Sequence, residues 1–111
     1  MKVHKHQVPL YFQFLNIVVT ENFTESLDKL KLTYDKSDPV NKWESFVGFE
    51  YGKIWIFVRS KTDVSVIAHE AVHIVNYVFK QAHISLDLDN DEPQAYLMGW
   101  VVDKIIKAIG K

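Results

Sequence analysis

Two histidines and a glutamate in the segment His69-Glu70-Ala71-Val72-His73 have the residue types and spacing to bind a metal ion and activate water. Side chains four residues apart on a helix lie on one face, one above the other. Two imidazoles at this spacing can hold one zinc ion, each at about 2.0–2.1 Å. Glu70 points slightly round the helix, so its carboxylate can take a proton from a zinc-bound water and pass it to a leaving amine. The pattern predicts zinc-dependent hydrolysis.

The same five residues also occur by chance, because a helix can expose two histidines and a glutamate without any function. Here the predicted helix around them is otherwise strongly apolar, an apolar strand-like segment precedes it, and several carboxylates follow it. Polar residues on such a helix are expected to have a purpose, so we predict a metal site.

A catalytic zinc site takes three protein ligands and leaves one position open for water. The downstream candidates for the third ligand are His83, Asp87, Asp89, Asp91 and Glu92. Glu92 is favoured because it begins the last predicted helix, where the chain must turn back to pack on the first. Ala95 and Gly99 are small enough to let those two helices approach each other.

Asp91 and His83 are the alternatives to Glu92. Asp91 can instead cap the last helix in a capping box with Gln94. His83 lies ten residues beyond His73, which is about 15 Å of rise if the helix continues, too far for one coordination sphere. His83 could serve only if the helix ended early.

The remaining pattern predicts an α+β fold, a small antiparallel-rich sheet packed on helices, in a single domain over residues 1–111. Residues 53–58 are apolar on both faces and form a hairpin with 43–49, for which Gly52 supplies the turn. The first six residues, including His4 and His6, are expected to be a frayed basic terminus. The predicted elements are a strand at 10–20, a helix at 22–30, a loop at 34–41, strands at 43–49 and 53–58, and helices at about 63–80 and 92–109.

Composition limits the classes of partner. The formal net charge is -1, from 13 Lys+Arg and 14 Asp+Glu, without a basic stripe, so nucleic acid is not expected. No segment is apolar for long enough to span a membrane and no signal-peptide pattern is present, so a cytoplasmic protein is expected. The chain has no cysteine, and a transition-metal site must therefore use histidines and carboxylates.

The segments HEAVH (69–73) and DEPQAY (91–96) together resemble the gluzincin pattern, in which a downstream glutamate follows HExxH. Size and element order are similar to minigluzincin-like proteins, short domains that keep the minimal zincin-like core. Residues 64–103 are also similar to small zinc-peptidase-like proteins of bacteriophages and prophages. The resemblance implies that His69, His73 and Glu92 bind Zn²⁺ and that Glu70 is the general base.

The resemblance further implies a peptide or protein substrate that pairs with an edge strand, expected to be 53–58. Tyr96 is the expected transition-state stabiliser, with Tyr77 and His83 as other possible donors. An alternative from another class is a catalytically inactive, zinc-stabilised binding or regulatory module. Glu70 favours catalysis, because a purely structural zinc site would not need it.

Overall fold

A computed structural model describes residues 1–50 and 53–110 of the chain. Residues 14–19 and 53–58 are rich in β-branched and aromatic side chains, which favours strands, whereas 64–81 has apolar residues at helical spacing. The four strands and three α-helices are β1 (Lys2–Gln7), β2 (Phe14–Val19), α1 (Phe23–Lys29), β3 (Phe46–Glu50), β4 (Lys53–Val58), α2 (Val64–Gln81) and α3 (Glu92–Ala108).

The strands form one mixed sheet in the order β1-β2-β4-β3. β1 pairs antiparallel with β2, β3 pairs antiparallel with β4, and the two central strands β2 and β4 are parallel. In the parallel pair Ile17 lies opposite Ile56. The predicted α+β class with an antiparallel-rich sheet is therefore confirmed, and so is the pairing of β3 with β4. Gly52, predicted at the turn of that hairpin, lies outside the described residues.

Apolar side chains on the two faces of the sheet form two separate core clusters. One cluster lies between the sheet and helices α2 and α3, and it includes Ile17, Ile56 and Ile74, all fully buried. The other covers the opposite face with α1 and includes Phe23 and Phe57. Truncating a buried isoleucine such as Ile56 to alanine would cost about 2–5 kcal/mol, so the first cluster fixes α2 firmly on the sheet.

β4 is a central strand, and the prediction that residues 53–58 form an edge strand is wrong. β2 pairs with one side of β4 and β3 with the other. The sequence of β4 fits this position, because a run of apolar residues is typical of strands in parallel pairs with both faces covered, and each face of β4 is covered by one of the two core clusters. The strands at the ends of the sheet order are β1 and β3.

The N-terminal segment is also ordered, contrary to the expected frayed terminus. Residues 2–7 form β1, in which His4 and His6 are half-buried and the other residues are exposed. The predicted strand at 10–20 begins only at Phe14. Leu10 and Phe12 have φ angles of 71° and 56°, a left-handed backbone that ends the ladder and turns the chain from β1 into β2.

Helices α2 and α3 occupy nearly the predicted residues and pack against each other. Asp91 is the N-cap residue of α3, but its side chain makes no capping hydrogen bond, so the predicted capping box with Gln94 is not formed. At the end of α2, His83 adopts a φ of 58°, and the helix stops there. None of the helices formed by residues 1–50 and 53–110 combines the length and apolar character that a membrane crossing requires.

Candidate metal centre

His69 and His73 point the same ring nitrogen at each other from successive turns of α2. Their Nε2 atoms are 3.3 Å apart, and the ring centroids are 5.0 Å apart. Two ligands held at about 2.0–2.1 Å by a tetrahedral zinc ion are themselves separated by roughly 3.3–3.4 Å. The two imidazoles therefore already have the separation that a shared tetrahedral ion requires.

Glu70 lies beside the two histidines but, unlike them, is buried, with 6% of its surface exposed. Its Oε1 atom is 3.9 Å from His69 Nε2. Its other oxygen, Oε2, accepts a hydrogen bond of 2.9 Å from the hydroxyl of Ser45. The carboxylate therefore has one oxygen directed toward the histidines and the other fixed by a residue just before β3.

His69, Glu70 and His73 form the one group of three ligand-type side chains found in residues 1–50 and 53–110 that could hold a metal ion. One ligand atom from each lies within 4.8 Å of the others. Two imidazoles and a carboxylate suit zinc and other divalent first-row metals. The arrangement can bind such an ion, with Glu70 as a ligand or as a base beside it.

The other residues predicted for the site lie outside this group. Glu92 is exposed on the first turn of α3, in a pocket that it shares with Tyr96 and Trp100. Tyr96 has 77% of its surface exposed. Asp91 and His83 lie in the α2–α3 connection, at the N-cap of α3 and just past the end of α2 respectively. The structure does not bring any of these side chains into the three-residue group.

Two open pockets lie between α2 and residues 43–49 and meet at the hydrogen bond from Ser45 to Glu70; together they are called the groove. On one side of that bond the groove is lined by Trp43, Glu44, Ser45, Ser65, Val66, His69 and Glu70. On the other side it is lined by Ser45, Phe46, Val47, Phe49, Glu70, His73, Tyr77 and Lys80. The metal-binding residues thus lie in the middle of a groove that borders a sheet edge.

Ser45 was not predicted from the sequence, and no motif marks it. Its contact with Glu70 spans 25 residues of chain, which local patterns cannot indicate. The position of Tyr77 was more accessible to sequence reasoning, because it is four residues beyond His73 on the same helix. It lines the groove together with His73 and Glu70.

A scan of protein-family models, a search of curated proteins and a search of solved structures each gave no match to this chain.

Proposed function

We propose that this chain is a zinc-dependent peptidase that hydrolyses peptide bonds at the His69–Glu70–His73 group. The observation that carries the proposal is the 3.3 Å separation of the two Nε2 atoms beside a buried carboxylate. That combination matches the needs of a hydrolytic metal site, which are a pre-formed pair of ligands and a base held next to them. The similarity of HEAVH and DEPQAY to the gluzincin pattern supports the same proposal.

His69, His73 and Glu92 are the proposed ligands. Glu92 belongs to α3, which packs on α2, and its exposed carboxylate lies on the first turn of α3, directly after the α2–α3 connection. Asp91 becomes a stronger alternative than the sequence suggested, since its side chain is not used in capping. A bound zinc ion supplies Lewis-acid chemistry: it polarises a carbonyl and makes water easier to deprotonate.

Glu70 is the proposed general base. Its Oε1 atom, on the side of the histidines, accepts a proton from the attacking water and then donates it to the leaving amine. Burial of this carboxylate separates it from bulk water, which strengthens its interaction with charge that develops in the reaction. Ser45 keeps Oε2 engaged, so one oxygen is available for the reaction.

The proposed substrate is an extended peptide bound along β3. β3 is at the end of the sheet and borders the groove that contains the metal-binding group. An exposed edge offers unpaired backbone groups, so a peptide can bind there as an added strand. Tyr77 is the best-placed donor for the oxyanion, because it lines this groove whereas Tyr96 lines another pocket.

The proposal is tested by zinc content and turnover in three proteins without a histidine tag: wild type, His73→Ala and Glu70→Gln. Wild type should contain about one zinc per chain and His73→Ala almost none. Glu70→Gln should keep its zinc and lose cleavage of a peptide mixture, read by mass spectrometry as new termini. His4→Ala, on β1, is the matched control and should retain zinc. A wild-type chain that stays empty after zinc is added would contradict the proposal.

The second candidate function is a zinc-stabilised binding module without catalysis. The observation that favours it is the openness of the site, since 70% of the His69 side chain is exposed. Under that hypothesis Glu70→Gln should leave both zinc binding and partner binding intact. Loss of peptide cleavage in Glu70→Gln with full zinc loading would favour the peptidase.

A further inference from the structure

We propose that Ser45 is a positioning residue for Glu70 and that Arg59 holds Ser45 in place. This inference rests on the proposed peptidase function and adds two residues that no motif in the chain indicates. Its basis is a set of contacts that connects the end of β4, through the segment before β3, to the proposed base on α2.

The first step is the contact between Ser45 and Glu70. The Ser45 hydroxyl donates a hydrogen bond to Glu70 Oε2 at 2.9 Å. Among the hydrogen bonds found in the described residues, no other donor reaches this carboxylate. A carboxylate on a flexible side chain can rotate about its terminal bond unless one oxygen is held. With Oε2 held by Ser45, Oε1 faces His69 at 3.9 Å. The hydroxyl thus fixes the orientation of the carboxylate, so that its other oxygen faces the two histidines.

The second step is the support of Ser45 by Arg59. Its guanidinium donates hydrogen bonds to the backbone carbonyls of Asn41, Trp43 and Glu44, the residues just before Ser45. The same guanidinium lies 4.0 Å from the centroid of the buried Phe23 ring. Arginine is suited to this role because its planar group stacks and donates in several fixed directions at once.

The third step distinguishes positioning from a merely structural contact. The Ser45–Glu70 bond also joins the segment before β3 to α2, and a structural bond would affect stability alone. A misplaced base affects the chemical step, and a displacement of about 1 Å can cost on the order of 100-fold in rate. Loss of positioning therefore predicts a lower kcat at unchanged KM and unchanged zinc content.

The test compares zinc-loaded wild type, Ser45→Ala, Ser45→Thr and Arg59→Ala on one peptide selected from the mixture that wild type cleaves. Ser45→Ala should lower kcat by roughly 10- to 100-fold, and Ser45→Thr, which keeps a hydroxyl, should restore most of it. Arg59→Ala should lower kcat in the same direction. Adding Ser45→Ala to Arg59→Ala should lower it little further, because both act through one contact. Ser85→Ala, an exposed serine in the α2–α3 connection, is the control and should match wild type.

A kcat for Ser45→Ala within twofold of wild type, or a Ser45→Thr variant as slow as Ser45→Ala, would overturn the inference. Crystal structures of zinc-loaded Ser45→Ala and Ser45→Thr supply a readout independent of turnover. Glu70 should take more than one orientation in the first and a single one in the second. A single orientation in both would overturn the role of Ser45, whereas absence of turnover in zinc-loaded wild type would count against the peptidase function itself.

Discussion

Phe49 of edge strand β3 stacks on Tyr77 of α2, with ring centroids 3.8 Å apart and an angle of 11° between the planes. This stack joins the two walls of the groove one helical turn beyond His73. The ring of Tyr77 is therefore restrained by packing, and a restrained ring places its hydroxyl more reproducibly than a free one. Tyr96, with 77% of its surface exposed, has no comparable restraint from burial.

Tyr77→Phe should keep the stack and lose the hydroxyl, and we expect a lower kcat with little change in melting temperature. Removal of one oxyanion donor typically lowers kcat by about 100- to 1,000-fold. Steady-state kinetics on a cleaved peptide measure the effect, with Tyr96→Phe as the matched control. A loss of kcat in Tyr96→Phe but not in Tyr77→Phe would instead assign the donor to α3, as the sequence first suggested.

Local patterns in the sequence were sufficient for some features of this fold and not for others. The facing pair His69 and His73 follows from helical spacing alone, so a sequence shows it directly. The burial of both faces of β4 was also encoded, since a strand with apolar residues on both faces needs cover on both. The pairing of β4 with both β2 and β3 is not contained in that pattern, and it is this pairing that makes the expected edge strand at 53–58 wrong.

Other features depend on contacts that no local pattern contains. The residues of β1 are mostly polar and give it no apolar face. It becomes a strand because its backbone pairs with β2. Ser45 approaches Glu70 only after β3 has been placed beside α2. Whether Asp91 caps α3 depended on backbone geometry at the α2–α3 connection, which the sequence spacing to Gln94 did not determine.

Lys80 should favour peptides with an acidic side chain in the half of the groove that also contains Phe49 and Tyr77. An exposed ion pair contributes about 0.2–1 kcal/mol. Lys80→Glu should therefore change the kcat/KM of an acidic peptide, divided by the kcat/KM of a basic one, by several-fold. Competition between two peptides that differ at one position measures that ratio. Lys36→Glu, an exposed charge in the loop before β3, is the control. An equal change in both variants would exclude a local effect of Lys80.

His6 should make the chain less stable as the pH falls. Burial, followed by the positive charges of Lys104 and His4, lowers the pKa of His6 below its ordinary value of 6.5. The unfolded chain therefore binds this proton more readily, and stability is lost as the pH falls from about 6.5 through the lower pKa of the folded state. His6→Phe keeps an aromatic ring beside Trp100. Its melting temperature should fall less between pH 8 and pH 5 than that of wild type. Both are measured with a chelator present, and parallel curves would contradict the prediction.

Glu92→Gln should weaken zinc binding more than either Asp91→Asn or His83→Ala. Loss of an outer hydrogen-bonding partner of a metal ligand typically costs 10- to 100-fold in affinity, so loss of a ligand should exceed about 100-fold. Competition with a chelator of known affinity measures all three variants. The same ranking should appear in the increase of melting temperature on adding zinc, because a metal that binds the folded chain stabilises it. If Asp91→Asn gives the largest loss, the N-cap residue of α3 is the third ligand. Equal affinity in all three variants and wild type would mean that His69, Glu70 and His73 bind the metal without α3.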